Sequence, residues 1–268
     1  MSAGGRAQEA GGKALALRAN VLRTVAVLIS SFLLACSFPL PPQIVSMEGA
    51  SAAWLALIPL ILLSRLSRPK VAFWWGWLCG FLFWMVSAAW VLQLRHTWGF
   101  LPVVILAWMA MAAYCGIYIG LFAAILSSVL PDPPNAGDAS APSQLQLRRI
   151  VLVLLTPIIW VGCEYVRALL FTGFPWNVLG VSQYRNIAIL QVASWGGAYA
   201  VSGIIVLLSA AIAVTILRIG SELRQRKRRR VHFELMLGLV AVALCWSWGV
   251  RSVRRADRTP DHSPRVRI

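Results

Sequence analysis

Two oppositely charged residues, Glu164 and Arg167, stand three positions apart in an otherwise mostly apolar stretch, WVGCEYVRALL. At this spacing the two side chains share one face of a helix, so the sequence predicts that they form an ion pair. In apolar surroundings a lone charge is costly, and pairing lowers that cost. The pair would lock the end of a helix, and Trp160 lies one turn earlier on the same face. A second interpretation is that Arg167 binds a lipid phosphate.

The next segment, FTGFPWNVLG (171–180), cannot continue that helix comfortably because it contains Gly173 and Pro175. Its aromatic residues, Phe171, Phe174 and Trp176, are suited to the boundary between lipid headgroups and acyl chains. Irregular backbone at membrane depth must be buried in protein or face a watery cavity. The segment therefore predicts a loop that shapes a cavity at a membrane border, with an ordinary interfacial re-entrant loop as the alternative.

The composition predicts the elements that hold this loop. The chain is 59% hydrophobic and 13% charged, with a mean hydropathy of +0.73, which is typical of an integral membrane protein. A helix needs roughly 20 apolar residues to cross the hydrocarbon layer. The sequence predicts an all-α membrane protein, a polytopic bundle of about seven transmembrane helices, of which the short second run with Pro59 is the weakest. The apolar runs are 22–38, 51–64, 71–93, 101–130, 150–170, 188–217 and 232–250.

Basic residues are distributed unequally between the two sides of this bundle. With a cytoplasmic N-terminus, the inner segments hold 16 of the 25 basic residues and the outer loops hold three, namely Arg95, Arg167 and Arg185. This bias predicts a cytoplasmic tail over 1–21, a transmembrane domain over 22–250, and an extracytoplasmic tail over 251–268. The same distribution argues against nucleic-acid binding in spite of the net charge of +16. The basic run 224–230 is interpreted as a stop-transfer cluster, with binding of anionic lipid as the alternative.

Other residue types point to packing rather than to chemistry. Glycines four apart, at Gly76/Gly80 and Gly116/Gly120, allow close helix approach within the bundle or, alternatively, at a dimer seam. The five cysteines lie inside apolar runs without metal-ligand spacing, so no metal and no cofactor are expected. His96, in RHTWG on the predicted outer side, is either an interfacial histidine that binds a loop or a substrate contact.

The segment WVGCEYVRALLFTGFPWNVLGVSQ resembles a distinctive membrane-domain motif of bacterial apolipoprotein N-acyltransferases, W-x-x-x-E-(aromatic)-x-R, then F-T-G-F-P-W, then L-G-x-x-Q. Segments 53–63, 87–102 and 189–213 also resemble parts of that family in order and spacing. The resemblance covers about residues 25 to 268, and the FTGFPW block is its specific part. It supports the assignment of a substrate or lipid cavity to Trp160, Glu164, Arg167, Phe174, Trp176, Gln183 and His96.

The resemblance implies an enzyme of the bacterial inner membrane. Members of the family transfer an acyl chain from a phospholipid donor to the diacylglyceryl-cysteine at the N-terminus of a lipoprotein. They use a Glu-Lys-Cys triad in an extracytoplasmic nitrilase-like domain. No such triad is evident in these 268 residues, which are therefore expected to contain no catalytic residue and to be inactive alone. The alternatives are a non-catalytic module that recruits a separately encoded nitrilase-like partner, or a small lipid-binding or transport protein.

Overall fold

A computed structural model describes residues 3–39, 49–98, 100–129, 142–224 and 232–258. Within these ranges the chain forms helices joined by turns, and none of the described residues lies in a β-strand. The predicted all-α membrane bundle is confirmed. The helices are α1 (Ala3–Cys36), α2 (Ala53–Ala56), α3 (Ile58–Arg65), α4 (Pro69–Ser87), α5 (Arg95–Trp98), α6 (Leu101–Ser128), α7 (Pro142–Leu169), α8 (Ile187–Leu190), α9 (Ala193–Arg224) and α10 (Phe233–Arg258). Short 3-10 turns occupy Gly49–Ser51, Ala89–Leu94, Leu170–Thr172 and Leu179–Gln183.

Five of the described helices are long and apolar enough to cross a membrane, which makes the chain a multi-pass membrane protein. They overlap the first, fourth, fifth, sixth and seventh predicted runs. The third run forms α4, a helix of 19 residues. The segments that meet the criteria are Gly11–Cys36, Leu101–Ser128, Gln144–Leu169, Ala193–Arg224 and Phe233–Ala256.

The second predicted run is broken into α2 and α3 at Leu57, just before Pro59. Proline removes a backbone donor and disturbs the preceding turn. The backbone N–H of Leu60 instead donates to Ser30 Oγ on α1 at 3.1 Å. A transmembrane passage by this segment, and hence the full count of about seven spans, stays a prediction.

The predicted ends of the two terminal tails differ from the ends of the helices in the structure. Within the predicted N-terminal tail, residues from Ala3 onward already belong to α1, and residues 251–258 of the predicted outer tail continue α10. Most of the connection between the fourth and fifth predicted runs, residues 130–141, lies outside the described residues. The basic run lies outside them beyond Arg224, and so does the end of the tail from 259.

The glycine pairs of α4 and α6 form a close contact between these two helices. A Cβ atom added at Gly80 would lie 2.8 Å from Gly116 Cα, and one at Gly76 would lie 2.7 Å from Ala123 Cβ. Only residues without a side chain allow the two backbones to approach this far. The predicted packing role of these glycines within the bundle is confirmed, and they do not form an exposed dimer seam.

A buried charged network joins α7, α9 and α10 at the end of the bundle opposite the FTGFPW segment. Arg218 donates to both carboxylate oxygens of Glu234 at 3.0 Å and to Glu222 at 2.8 Å. Gln146 bridges the same pair, accepting from Arg218 at 3.2 Å and donating to Glu234 at 3.0 Å. Arg218 is one of the 16 basic residues that the charge distribution assigns to the inner side, and its buried side chain links three helices.

We expect Gly80→Ala to destabilise the bundle by about 1–3 kcal/mol, because the new methyl group meets the backbone of α6. The measurement is thermal unfolding of the purified chain in detergent. Gly162→Ala on α7 is the matched control, since a Cβ there meets nothing within 4 Å and alanine favours a helix. Equal unfolding midpoints for the two variants would contradict the close contact.

Candidate functional site

The loop after α7 departs from the helix through unusual backbone angles. Phe171 has φ 50° and Gly173 has φ 77°. A Cβ at Gly173 would lie 2.1 Å from the carbonyl oxygen of Ala168, so this position requires glycine. The N–H of Phe174 then donates to Arg167 O at 3.1 Å. The predicted interruption of the helix at Gly173 is confirmed.

The Arg167 side chain holds the loop that follows it. Its Nη1 donates to Phe174 O at 2.7 Å and to Trp176 O at 2.8 Å. Its guanidinium carbon lies 4.9 Å from the centre of the Trp84 ring, which adds a cation–π contact from α4. Arg167 is only 4% exposed, so the charge is shielded by loop carbonyls and an aromatic face rather than by water.

Glu164 binds a different part of the same loop. Its Oε1 accepts from the N–H of Leu179 at 2.8 Å, and the residue is 5% exposed. The two charged residues therefore form no direct ion pair, and that prediction from their spacing was wrong. The physical reason is that the irregular loop offers unpaired backbone groups, which compete successfully for both side chains. We call these three hydrogen bonds from Arg167 and Glu164 to the loop backbone the loop clamp.

Aromatic rings extend the clamp towards the surface of the bundle. Trp176 stacks on Trp90 at 5.2 Å and on Phe174 at 6.1 Å, and Phe174 meets Trp84 edge-on at 5.5 Å. Trp176 is 53% exposed and Phe171 is 82% exposed. In addition, Asn177 Nδ2 donates to Ser87 Oγ at the end of α4. The outer side of the loop is thus an exposed aromatic surface fixed to α4 and to the turn that follows it.

A narrow cavity of about 30 Å³ lies on the inner side of the clamp, between α1, α4, α6, α7 and the loop. Three of the seven predicted site residues line it, namely Trp160, Glu164 and Arg167. The wall is mostly apolar, as is usual for a ligand pocket. The other lining residues are Leu34, Phe38, Phe83, Trp84, Tyr118, Ile119, Cys163, Asn177 and Leu179.

The remaining predicted residues lie elsewhere. Phe174 and Trp176 belong to the aromatic surface. Gln183 is buried and joins the loop to the second apolar run, since it donates to Ala50 O at 2.7 Å and accepts from Trp54 Nε1 at 3.2 Å. His96 is exposed on α5 and accepts from Arg95 Nε at 3.3 Å.

Sequence reasoning missed the cavity residues that come from other helices. Trp84 contacts both Arg167 and Phe174, although it lies about 80 positions earlier in the chain. Tyr118 on α6 shares a 2.7 Å hydrogen bond between hydroxyl groups with Tyr114, which in turn donates to Leu170 O at 3.3 Å. The available signal was the i, i+4 spacing of the two tyrosines on one face of an apolar helix.

Comparison with known proteins identifies relatives of this chain. Residues 30–211, more than half of the chain, match the family model described as the apolipoprotein N-acyltransferase N-terminal domain. The chain is 31% identical over 188 residues to the apolipoprotein N-acyltransferase of Geobacter metallireducens, covering 69% of this chain and 32% of that protein. It is 29% identical over 205 residues to the enzyme of the same name from Chromobacterium violaceum, covering 74% and 34%. The chain thus spans about a third of the length of these curated relatives.

We expect Arg167→Met to release the loop while the helices remain folded, because both carbonyl bonds of Arg167 vanish. Hydrogen exchange of the 173–180 backbone, measured by mass spectrometry, should increase markedly, since opening of the loop would no longer break two charge-assisted bonds. Arg148→Met is the control, because Arg148 lies exposed on the same helix. Unchanged exchange in Arg167→Met would show that the clamp does not hold the loop.

Proposed function

We propose that this chain forms the membrane domain of an apolipoprotein N-acyltransferase. It belongs to the family of apolipoprotein N-acyltransferase N-terminal domains. The reaction is transfer of an acyl chain from a phospholipid to the N-terminal diacylglyceryl-cysteine of a lipoprotein, in the bacterial inner membrane. The membrane domain would hold the fatty chains in position for this transfer. The observation that carries the proposal is the loop clamp, which fixes the FTGFPW segment beside an apolar cavity.

The cavity is narrow and has an apolar wall. This wall includes Leu34, Phe83 and Ile119 from three different helices and Phe38 just after α1, and burial of apolar surface favours contact with the hydrocarbon of an acyl group. The exposed ring of Trp176, close to the clamp, has the amphipathic character of residues at the headgroup boundary. In this proposal a phospholipid approaches past the aromatic surface and an acyl chain enters beneath the loop.

We assign the chemical step to a nitrilase-like domain rather than to these residues. Each of the five cysteines lies in a helix, and four of them are buried. Buried thiols in apolar surroundings are poor nucleophiles. The 268 residues are therefore proposed to be inactive alone. The catalytic groups come either from the same polypeptide in the complete enzyme or from a separately encoded partner, and copurification from native membranes distinguishes these two arrangements.

We expect Trp176→Ala to lower acyl transfer about tenfold in a chimera that joins this chain to the remaining part of the Geobacter metallireducens enzyme. Each lost aromatic stack is worth about 0.5–1.5 kcal/mol, and 1.4 kcal/mol corresponds to a factor of ten. Activity is measured as N-acylation of a model lipoprotein by mass spectrometry. Trp246→Ala on α10, where the tryptophan is similarly exposed at 49%, should leave activity unchanged. Parental activity in the Trp176→Ala chimera would count against a role for the loop.

Orientation provides a separate test of the same proposal. In a variant without native cysteines, Phe171→Cys should react with a membrane-impermeant maleimide added outside intact spheroplasts, because Phe171 is 82% exposed on the loop and the basic residues favour a cytoplasmic N-terminus. A cysteine at Arg68, in the connection between α3 and α4, should react only after the membrane is opened. Labelling with the opposite pattern would place the loop in the cytosol and contradict the proposal.

A further inference from the structure

The turn that opens the loop combines two unfavourable features at one residue. Phe171 has a left-handed backbone, with φ 50° and ψ 54°, although it is not a glycine. Its side chain is also 82% exposed. Bulky residues rarely adopt this conformation, because their Cβ atom crowds the backbone. Such a conformation persists only where neighbouring groups hold it, and it is often found at functional sites.

Tyr114 on α6 holds this turn from the neighbouring helix. Its hydroxyl donates to Leu170 O at 3.3 Å, the same oxygen that accepts the N–H of Gly173 at 2.9 Å and closes the turn. Its ring meets the Phe171 ring edge-on, with 5.9 Å between the ring centres. The Tyr114 side chain therefore contacts both the backbone just before Phe171 and the Phe171 ring itself.

The direction of the hydrogen bonds around Tyr114 follows from the number of protons. The hydroxyl groups of Tyr114 and Tyr118 lie 2.7 Å apart, and each carries one proton. Because Tyr114 donates its proton to Leu170 O, Tyr118 is the donor in the tyrosine pair. Tyr118 is buried and lines the cavity. A chain of hydroxyl groups thus runs from the cavity wall to the turn, from Tyr118 through Tyr114 to Leu170 O.

The far end of the loop provides an informative comparison. Asn177 is the other non-glycine residue with a positive φ, 49°, in the described part of the chain, and its side chain donates to Ser87 Oγ at the end of α4. Asparagine tolerates the left-handed conformation, whereas phenylalanine does not. The entry of the loop at Phe171 therefore depends more than its exit on a group from another helix.

We propose that Tyr114, supported by Tyr118, is a positioning residue that presents the Phe171 ring to the acyl chains of the phospholipid donor. The inference rests on the proposed function, since it takes the loop as the place where the donor approaches. An exposed aromatic ring is favourable at the boundary between headgroups and acyl chains, which gives the exposure of Phe171 a purpose. The two tyrosines act on the donor through the turn and not by touching the reacting atoms.

The first test removes the two hydroxyl groups from the chain in phosphatidylcholine nanodiscs and measures hydrogen exchange of the 170–174 backbone by mass spectrometry. Tyr114→Phe should accelerate this exchange about fivefold, because the net free energy of one hydrogen bond changes an opening equilibrium by about this factor. Adding Tyr118→Phe to Tyr114→Phe should change the exchange by less than about twofold, because Tyr118 acts on the turn through Tyr114. Should Tyr114→Phe not fold, Tyr118→Phe alone is the second variant, and it should accelerate exchange to a smaller extent.

A matched control removes a tyrosine hydroxyl that lies away from the turn. Tyr184 is 47% exposed and its ring contacts the Arg185 guanidinium. Tyr184→Phe should therefore leave exchange of the 170–174 backbone at the parental rate.

The second test separates positioning from general stability and uses the chimera with the Geobacter metallireducens enzyme. Tyr114→Phe should raise the KM for the phospholipid about fivefold while kcat is retained, because the lost contact is made to the bound donor and not in the transition state alone. Phe171→Asn should raise KM to a similar extent, although asparagine accepts the left-handed backbone and keeps exchange of the turn near the parental rate. A merely structural role would not raise KM while exchange stays parental.

Three results overturn the inference. Parental exchange in Tyr114→Phe means that its hydroxyl does not hold the turn, and additive effects of the two tyrosine substitutions mean that the residues act independently. A parental KM in Phe171→Asn means that the ring does not meet the donor. An unsubstituted chimera without acyl transfer would instead count against the proposed function, and the exchange measurements would still decide whether the two tyrosines hold the turn.

Discussion

The backbone of the loop after α7 has polar groups that must find partners away from water, and the site depends on this requirement. Arg167 binds the carbonyls of Phe174 and Trp176, while Glu164 binds the N–H of Leu179. Unpaired backbone groups at membrane depth are costly, so an irregular segment persists there only where side chains satisfy it. Two buried ionisable side chains, each costly to bury alone, and a loop whose backbone groups need partners thus stabilise one another.

Close packing elsewhere in the bundle brings the other walls of the site into position. The glycine contacts between α4 and α6 allow these helices to lie backbone to backbone. As a result Trp84, near the end of α4, reaches Arg167, and Tyr118 on α6 faces the same cavity. A larger residue at Gly80 or Gly116 would separate the helices and move both walls. The shape of the cavity is therefore determined about one helical turn away from the residues that line it.

The sequence predicted the features that depend on local pattern. Apolar runs located the helices, and Gly173 with Pro175 located the loop. It did not predict which groups bind each other, because partners are set by tertiary packing. The i, i+3 spacing of Glu164 and Arg167 correctly indicated a shared helix end, yet both side chains bind loop backbone instead. Gln183 was selected as a cavity candidate from a motif, and its hydrogen bonds run to Ala50 and Trp54, more than 100 positions away.

The hydrogen bonds of Arg167 also bear on the interpretation that it binds a lipid phosphate. A lipid phosphate that engaged the same Nη1 donors would have to displace the carbonyls of Phe174 and Trp176, leaving them unpaired in a site shielded from water. The loss of these two charge-assisted hydrogen bonds offsets the free energy that a phosphate would gain by binding Nη1 of Arg167. Nη1 of Arg167 therefore holds the loop beside the cavity, and binding of a lipid phosphate by the other N–H groups of the guanidinium stays a prediction.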